Sequence, residues 1–345
     1  IAQPFGVNDR TGHGPFQACL EATMAVRKNE AYGFVDAMMA ELGGPRSGAL
    51  LERLDAATPW EKLAACIRRL PEYSNAGAGR PPWDPVLMLK CLMLAKWNNL
   101  SDPGLEEQLK DRISFRRFVG LSFTDATPDE TTFVRFRQRL REAGLHDTIF
   151  NTVLEHIESQ GLLVKEGTMV DATIIEAPRG RPRPDGTTTR DQEASFTSKH
   201  GVPHHGYKGH IGADLSGIVT RYAFGTARQH DADHFDALTR DEAVCVLADS
   251  MYSKDERRQR LHARGVIDGI CHQRRRGQKA LHPWQKRWNN LVAPLRARVE
   301  HPTAMLKQQL GYRRVRYRGL ERNAFDFALL ITACNIKRSL SLRAA

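Results

Sequence analysis

Three acidic residues, Asp171, Asp249 and Glu300, have the surroundings of groups that bind a cation. Asp171 lies within the run TMVDATII and Asp249 follows the run VCVLA, and each run predicts a short buried strand. Glu300 lies in a basic stretch that predicts a helix. A carboxylate at the end of a buried strand costs free energy unless it binds something positive. In a basic chain, three such acids favour divalent metal ions that act on a phosphodiester.

Each of the three acids also has an ordinary interpretation. Asp171 could cap a turn, Asp249 could cap a helix, and Glu300 could be a solvated helix residue. The last helix favours the functional interpretation, because one face carries residues at i, i+4, i+7 and i+11, namely Arg296, Glu300, Thr303 and Lys307. An acid between two cations suits a metal ion on one side and DNA phosphates on the other. The alternative is a surface ion-pair face, and Pro302 is expected to kink this helix.

Oxygen ligands of this kind suit Mg²⁺ or Mn²⁺. Two such ions can activate a water or a 3′-hydroxyl and stabilise the leaving oxygen of an in-line displacement at phosphorus. The sequence therefore predicts a metal site made by Asp171, Asp249 and Glu300.

The composition favours a nucleic-acid partner. The 345 residues carry a formal net charge of +11, with 41% hydrophobic residues, which is enough for two domains with real cores. The alternative is a basic soluble protein without such a partner. Six cysteines without a CxxC pair predict reduced thiols in a cytoplasmic chain, and no apolar run has the length of a membrane span.

The pattern of apolar residues divides the chain into three parts. Residues 1–45 are an N-terminal extension of uncertain structure, and residues 46–160 predict an all-helical domain for DNA binding or dimerisation. Residues 161–345 predict a mixed α/β domain, with a hairpin turn at residues 215–217. Within it, the segment 178–206 is rich in Pro, Gly, Arg and Thr and predicts a long basic loop that is mobile without a partner.

Several basic residues are candidates for DNA contact. The segment DETTFVRFRQRLREAG could be the recognition helix of a helix-turn-helix, with Arg135, Arg137 and Arg139 towards DNA. It could equally be a solvated basic helix packed by its phenylalanines. The segment YRRVRYRG surrounds Tyr312 and Tyr317 with arginines that suit phosphate contact and base stacking, namely Arg313, Arg314, Arg316 and Arg318.

Two further groups belong to the 178–206 region and to the segment HQRRRGQK. Arg179, Arg181 and Arg275 are candidates for non-specific phosphate contact. The spacing of His204, His205 and His210 does not predict a zinc site. These histidines are interpreted as part of the loop and the following strand, with a role near DNA as the less favoured alternative.

The chain resembles the DDE transposases of bacterial insertion sequences. It is most similar to the insertion-sequence-five-like group, in the branch with a Tyr-Arg-Glu-Lys signature on the last catalytic helix. The resemblance covers roughly residues 50–340 and rests on these segments in order: GRPPWDPVLMLKCLMLAKWNNLSDPGLEEQLKDRISFRRFVGL, DATPDETTFVRFRQRL, VDATIIEAPRG, GYKGHIGAD, VLADSMYSK and VEHPTAMLKQQLGYRRVRYRGLERNAFDF. Arg296, Glu300 and Lys307 match the signature, whereas Ala293 stands at its Tyr position.

The resemblance implies a ribonuclease-H-like catalytic core, a mixed sheet flanked by helices, with Asp171, Asp249 and Glu300 as metal ligands. It places Arg296 and Lys307 near transposon-end DNA. The implied function is cleavage at insertion-sequence ends and joining of the 3′-hydroxyl to target DNA. The implied partners are terminal inverted repeats and target DNA, bound by a homodimer at the bacterial nucleoid. Two alternatives are a ribonuclease-H-like nuclease without strand transfer and a domesticated, non-catalytic DNA-binding protein.

Overall fold

The computed structural model describes residues 46–74, 81–181, 183, 188–199, 201–240, 243–274 and 277–344. The expectation for residues 1–45 lies outside this part of the chain.

The described chain begins with eight helices, as the apolar periodicity predicts. They are α1 (Arg46–Ala57), α2 (Trp60–Ile67), α3 (Pro71–Ser74), α4 (Pro85–Trp97), α5 (Asp102–Asp111), α6 (Ile113–Val119), α7 (Glu130–Glu142) and α8 (Leu145–Ser159). Polar caps fix several of their starts: the Ser101 hydroxyl accepts from the Gly104 amide at 3.2 Å, and the Asp129 carboxylate accepts from the Thr132 amide at 2.6 Å. Helix α4 is buried on nearly all sides and forms the centre of this part.

A mixed six-stranded sheet follows. Its strands are β1 (Gly167–Glu176), β2 (Ser195–Lys199), β3 (Val202–Asp214), β4 (Val219–Thr226), β5 (Cys245–Ala248) and β6 (Ile267–Ile270). The order is β2-β3-β1-β5-β6, and β4 also pairs with β3. Strands β1 to β4 are joined in antiparallel pairs, whereas β5 runs parallel to both β1 and β6. The predicted turn at residues 215–217 is confirmed between β3 and β4.

The prediction of one loop over residues 178–206 is wrong for its last part. Residues 195–199 form β2 and residues from 202 onward belong to β3, and the two strands pair with each other. Most residues of β2 face solvent, so an alternation of apolar and polar residues is not needed there. Main-chain hydrogen bonds rather than apolar burial hold this hairpin, and composition does not reveal them.

The remaining helices cover the sheet. They are α9 (Phe235–Leu238), α10 (Asp255–Ala263), α11 (Pro283–Arg296), α12 (Glu300–Ala304) and α13 (Leu320–Arg343). Helix α13 packs against α1, α4, α8 and β4, so it joins the first eight helices and the sheet in one hydrophobic core. At this junction the Trp97 indole donates to the Ala333 carbonyl at 3.0 Å. No helix in the described part of the chain combines the length and apolar character that crossing a membrane requires.

The two faces of the sheet have different cover near the centre. On one face, Val170 and Ala248 pack against α9 and α10. On the other, Met169 and Leu247 pack against Val292 and Val299 from the segment that contains α11 and α12. Since side chains alternate along a strand, residues 171 and 249 project towards this second face.

Candidate active site

Two neighbouring parallel strands bring Asp171 and Asp249 to the same level. Val170 pairs with Ala248 in the last step of the β1–β5 ladder, and each aspartate is the next residue along the chain. Asp171 continues in β1 opposite Ile211, whereas the chain turns away after Ala248. The prediction that each aspartate lies in or directly after a buried strand is confirmed.

Asp249 also caps the turn that follows it. Its Oδ1 accepts from the Ser250 amide at 2.5 Å and starts a 3₁₀ turn over residues 250–252. The capping interpretation therefore holds for this residue. This hydrogen bond fixes the orientation of the Asp249 side chain. The rest of the side chain is open to solvent, because 47% of it is exposed.

The helical segment from α11 to α12 supplies the third acid and closes over the two aspartates. The Arg296 guanidinium lies 3.1 Å from Asp249 Oδ1 and 3.8 Å from Glu300 Oε1. The Thr303 hydroxyl donates to Asp171 Oδ2 at 3.0 Å. One helical face therefore contacts both aspartates.

This segment is irregular, as Pro302 predicts. A 3₁₀ turn over residues 297–299 separates α11 from α12, and a π-helical turn, Met305–Gln309, follows α12. Pro302 has no amide hydrogen for the carbonyl of Arg298, four residues before it, so regular α-helical bonding fails there. The prediction of a kink or loosened turn is confirmed.

Burial sets the electrostatics of Asp171. Desolvation raises the pKa of its carboxyl, while the Thr303 hydroxyl, Arg296 and Lys199 act in the opposite direction. Lys307 lies near Asp171. Burial lowers the pKa of the Lys307 amine, the neighbouring Lys199 lowers that pKa further, and Asp171 raises it. Burial also raises the pKa of Tyr252, and Asp171 and Asp249 contribute to that increase. The site thus has a carboxylate that its present partners stabilise only incompletely.

The donor set fits a hard divalent cation by its chemistry. All three groups are carboxylates, the ligands that Mg²⁺ and Mn²⁺ prefer, and the raised pKa of Asp171 shows that additional positive charge would stabilise its ionised form. Within the described residues, however, no three His, Cys, Asp or Glu side chains are close enough to form a metal site. The Arg296 guanidinium supplies the positive charge between Asp249 and Glu300.

Two of the predicted DNA-contacting arginines bind other parts of the protein. Arg137 is buried, and its guanidinium binds both carboxylate oxygens of Asp102 and lies over the Tyr317 ring at 5.4 Å. Arg316 donates to the Leu100 carbonyl and to the Asn99 side chain. The prediction that Arg137 contacts DNA is corrected, because its buried guanidinium holds the first helices to the C-terminal part of the chain. The Arg316 side chain is exposed, so its contact with DNA stays a prediction.

The other candidates present their side chains to solvent. They are Arg135, Arg139, Arg179, Arg181, Arg313, Arg314 and Arg318. Arg275 lies outside the described residues. Tyr312 is buried against the core and Tyr317 lies under Arg137, so the predicted stacking role does not apply to these two rings.

Sequence reasoning missed Lys199, Tyr252 and the direct role of Thr303 at Asp171. Thr303 had a usable signal, since it lies three residues after Glu300 on the same face. Lys199 had none, because it belongs to the hairpin that was interpreted as a loop.

Comparison with known protein families gives two matches. Residues 44–139 match the model described as Transposase domain (DUF772), and residues 163–336 match the model described as Transposase DDE domain. No solved structure matches the chain. The second match covers half of the chain and includes Asp171, Asp249 and Glu300. The chain therefore belongs to the DDE transposases, enzymes that act on DNA in transposition and that generally use divalent metal ions.

Proposed function

We propose that this transposase cleaves the ends of an insertion sequence and joins the freed 3′-hydroxyl to target DNA at one site. The single observation that carries the proposal is the meeting of Asp171 and Asp249, at the same level of neighbouring strands, with the helical segment of Glu300. In this proposal the three acids hold Mg²⁺ or Mn²⁺. When bound, such ions activate a water or hydroxyl nucleophile and stabilise the leaving oxygen.

The residues of the chain contribute binding and orientation. The Thr303 hydroxyl donates to one oxygen of Asp171 and so orients the carboxylate. Arg296 and Lys307 lie beside the acids and are positioned to bind phosphate oxygens of the DNA. Hydrolysis and strand transfer are both in-line displacements at phosphorus, so one such arrangement serves both steps.

The spacing of Arg296, Glu300 and Lys307 supports membership of the insertion-sequence-five-like group. Ala293 is the exception, because it stands where the signature has tyrosine, and its exposed position offers only a methyl group to DNA. In this proposal another residue performs the task of that tyrosine. The mixed sheet, antiparallel on one side of β1 and parallel on the other, supports the ribonuclease-H-like core.

We assign DNA binding and dimerisation to residues 46–160. Helices α5, α6 and α7 follow one another closely, and α7 buries Phe133, Phe136 and Leu140 while Arg135 and Arg139 point outward. This arrangement suits a helix that lies on the terminal inverted repeats. Joining two ends requires two active sites held together, so we expect a homodimer on DNA, at the nucleoid in the bacterial cytoplasm.

Substitution of the acids tests the proposal. Asp171→Ala, Asp249→Ala and Glu300→Ala should each reduce Mg²⁺-dependent cleavage of a plasmid that carries the flanks of the gene by roughly a thousandfold or more, because each loses a carboxylate that holds the ions. Binding of the same DNA, measured by gel shift, should change little. The matched control is Glu155→Ala, an acid on α8 away from the site.

The products separate the alternatives. The wild-type protein, given a pre-cut 3′-hydroxyl end and a target plasmid, should form joined molecules. Cleavage without joined product would favour a nuclease, and neither activity in Mg²⁺ or Mn²⁺ would favour a binding protein. Continued cutting by all three variants would exclude these acids.

A further inference from the structure

Helix α11 ends at Arg296 and leads to Glu300, yet apolar contacts hold it only weakly against the sheet. Of its 14 residues, all within the described part of the chain, only Val292 is buried. Leu291 and Leu295 are exposed instead. Because apolar contact is non-directional, the burial of one side chain does not fix the rotation of this helix about its axis.

A polar contact with the end of β6 fixes the helix at Asn289. Strand β6 ends at Ile270, and the amide of the next residue, Cys271, still donates to the Ala248 carbonyl of β5 at 3.1 Å. The residue after it, His272, is bound through its main chain. Asn289 Oδ1 accepts from the His272 amide at 2.7 Å, and Asn289 Nδ2 donates to the His272 carbonyl at 2.9 Å. Two hydrogen bonds from one side chain therefore join the helix to the sheet.

A second contact lies two turns further along the helix. Arg296 is seven residues after Asn289, so the two side chains share one helical face. Burial raises the pKa of the Cys271 thiol, whereas the charge of Arg296 and a hydrogen bond from its guanidinium lower that pKa. The consecutive residues Cys271 and His272 thus hold one face of α11 at two points.

Both contacts are needed because the helix is weakened between them. Pro294 lies inside α11 and has no amide hydrogen for the Asn290 carbonyl, so one α-helical hydrogen bond is missing there. A contact at Asn289 alone would leave the end of the helix less restrained. The contact between Cys271 and Arg296 restrains that end directly.

The position of this helical face sets the position of the charged groups in the candidate active site. The Arg296 guanidinium lies 3.1 Å from Asp249 Oδ1 and 3.8 Å from Glu300 Oε1, and the Thr303 hydroxyl donates to Asp171. A rotation of α11 would therefore change these contacts together. A misplacement of about 1 Å can lower a reaction rate by about a hundredfold when the reacting groups must be aligned.

We propose that Asn289 is a positioning residue of the transposition reaction, which fixes α11 to the end of β6 and so holds Arg296 and Glu300 over the two aspartates. Cys271 acts with it through Arg296. In this inference β6 contributes to the site although β1 and β5 supply the aspartates. The inference rests on the proposed function, because it takes the three acids as the ligands of the metal ions.

Kinetics of DNA cleavage test the role of Asn289. With a plasmid that carries the flanks of the gene, Asn289→Ala should lower kcat by about tenfold to a hundredfold, the range typical of residues that orient metal ligands, with little change in KM for DNA. Asn289→Asp keeps an acceptor for the His272 amide but loses the donor, so its kcat should lie between those of the wild type and Asn289→Ala. The matched control is Asn290→Ala, which removes the next, exposed asparagine of the same helix and should leave kcat unchanged.

Substitutions of Cys271 separate positioning from packing. Cys271→Val removes the acceptor for Arg296 and should lower kcat in the same way as Asn289→Ala. Cys271→Ser supplies a hydroxyl oxygen that accepts from Arg296 and should recover most of the activity that valine loses. If the thiol only fills space, the order is reversed, because valine suits an apolar site better than serine does.

Binding of Mn²⁺ to the full chain without DNA gives a readout that is independent of cleavage. In titration calorimetry, Asn289→Ala and Cys271→Val should each bind Mn²⁺ about tenfold more weakly than the wild type, and Asn290→Ala should bind it equally well. Circular dichroism and a gel shift check folding and DNA binding. Wild-type kcat and Mn²⁺ affinity in both variants would overturn the inference. A loss of cleavage that is matched by an equal loss of folded protein or of DNA binding would overturn it too.

Asp171→Ala distinguishes this inference from the proposed function. If Asp171→Ala is inactive while Asn289→Ala cleaves as the wild type does, the inference fails and the proposed function stands. If Asp171→Ala still cleaves, the active-site assignment fails and the inference fails with it.

Discussion

Buried charge is compensated differently in two regions of this protein. Where α4 meets α13, Lys96 pairs directly with Asp326, and the two side chains are 7% and 0% exposed. In β1, beside the end of β5, Asp171 accepts hydrogen bonds from the Thr303 hydroxyl and the Ala172 amide, and the Arg296 guanidinium lies against Asp249 and Glu300 instead. The first region uses charge to join parts of the fold. The second retains a carboxylate at a cost in stability, as expected of a group that binds a cation.

Breaking the Lys96–Asp326 pair should give the largest effect on stability. Lys96→Met leaves the Asp326 carboxylate without its cation in the core, so the free energy of unfolding should fall by about 3–5 kcal/mol. Urea unfolding followed by circular dichroism measures the change. The double variant Lys96→Met/Asp326→Leu should recover most of the loss, because both charges are then absent. A single variant as stable as the wild type would contradict the structural role of the pair.

The opposite face of the sheet, behind the site, offers a pH test. Burial and the His234 ring, whose centroid lies 4.3 Å away, lower the pKa of His210 to about 4. Lys208 also lowers the pKa, whereas Asp231 and Asp233 raise it. Below its usual pKa of about 6.5, His210 takes up a proton more readily in the unfolded chain.

Stability should therefore fall as the pH decreases from about 6.5 towards about 4, by up to about 3 kcal/mol in total from this residue. Above about pH 6.5 His210 is uncharged in both the folded and the unfolded chain, so this loss of stability is absent. His210→Leu should flatten this part of the profile when thermal unfolding is recorded across the range. If the wild type and the variant keep parallel profiles, His210 is not the group responsible.

Substitutions of the α7 arginines should have the smallest effects on binding and stability. This one helix carries both exposed arginines and a buried, paired one, so it allows the same comparison. Arg135→Ala and Arg139→Ala should each weaken DNA binding modestly and reduce the salt slope of the binding constant by about 0.9, as expected for one lost phosphate contact. Arg137→Leu should instead lower the unfolding temperature, because it removes the partner of Asp102. Fluorescence anisotropy at several salt concentrations measures the slopes. An unchanged slope in both exposed variants would remove α7 from the DNA interface.

Local patterns were sufficient to predict much of this arrangement. The β-branched run around Asp171 and the apolar run before Asp249 predicted their strands, and the spacing of Arg296, Glu300 and Thr303 predicted a shared face. Contacts between distant segments were not accessible in this way. The partner of Arg137 is 35 residues away, and that of Arg316 is 217 residues away, so nothing near either arginine distinguished a structural role from a DNA contact.

The β2–β3 hairpin illustrates the same limit. Edge strands held by main-chain hydrogen bonds need few apolar residues, so Ser195–Lys199 resembled a loop. Only the fold shows that this segment pairs with β3.

The central claim is that Asp171 remains ionised at a cost because it binds a cation. Thermal unfolding of the wild type and of Asp171→Asn at pH 8, with and without Mn²⁺, tests it most directly. Burial raises the pKa of Asp171, so the ionised group destabilises the fold above that pKa, and without metal the variant should unfold at a higher temperature. With Mn²⁺ the wild type should gain stability and the variant should gain little. A less stable variant, or an equal gain from Mn²⁺ in both proteins, would contradict the account.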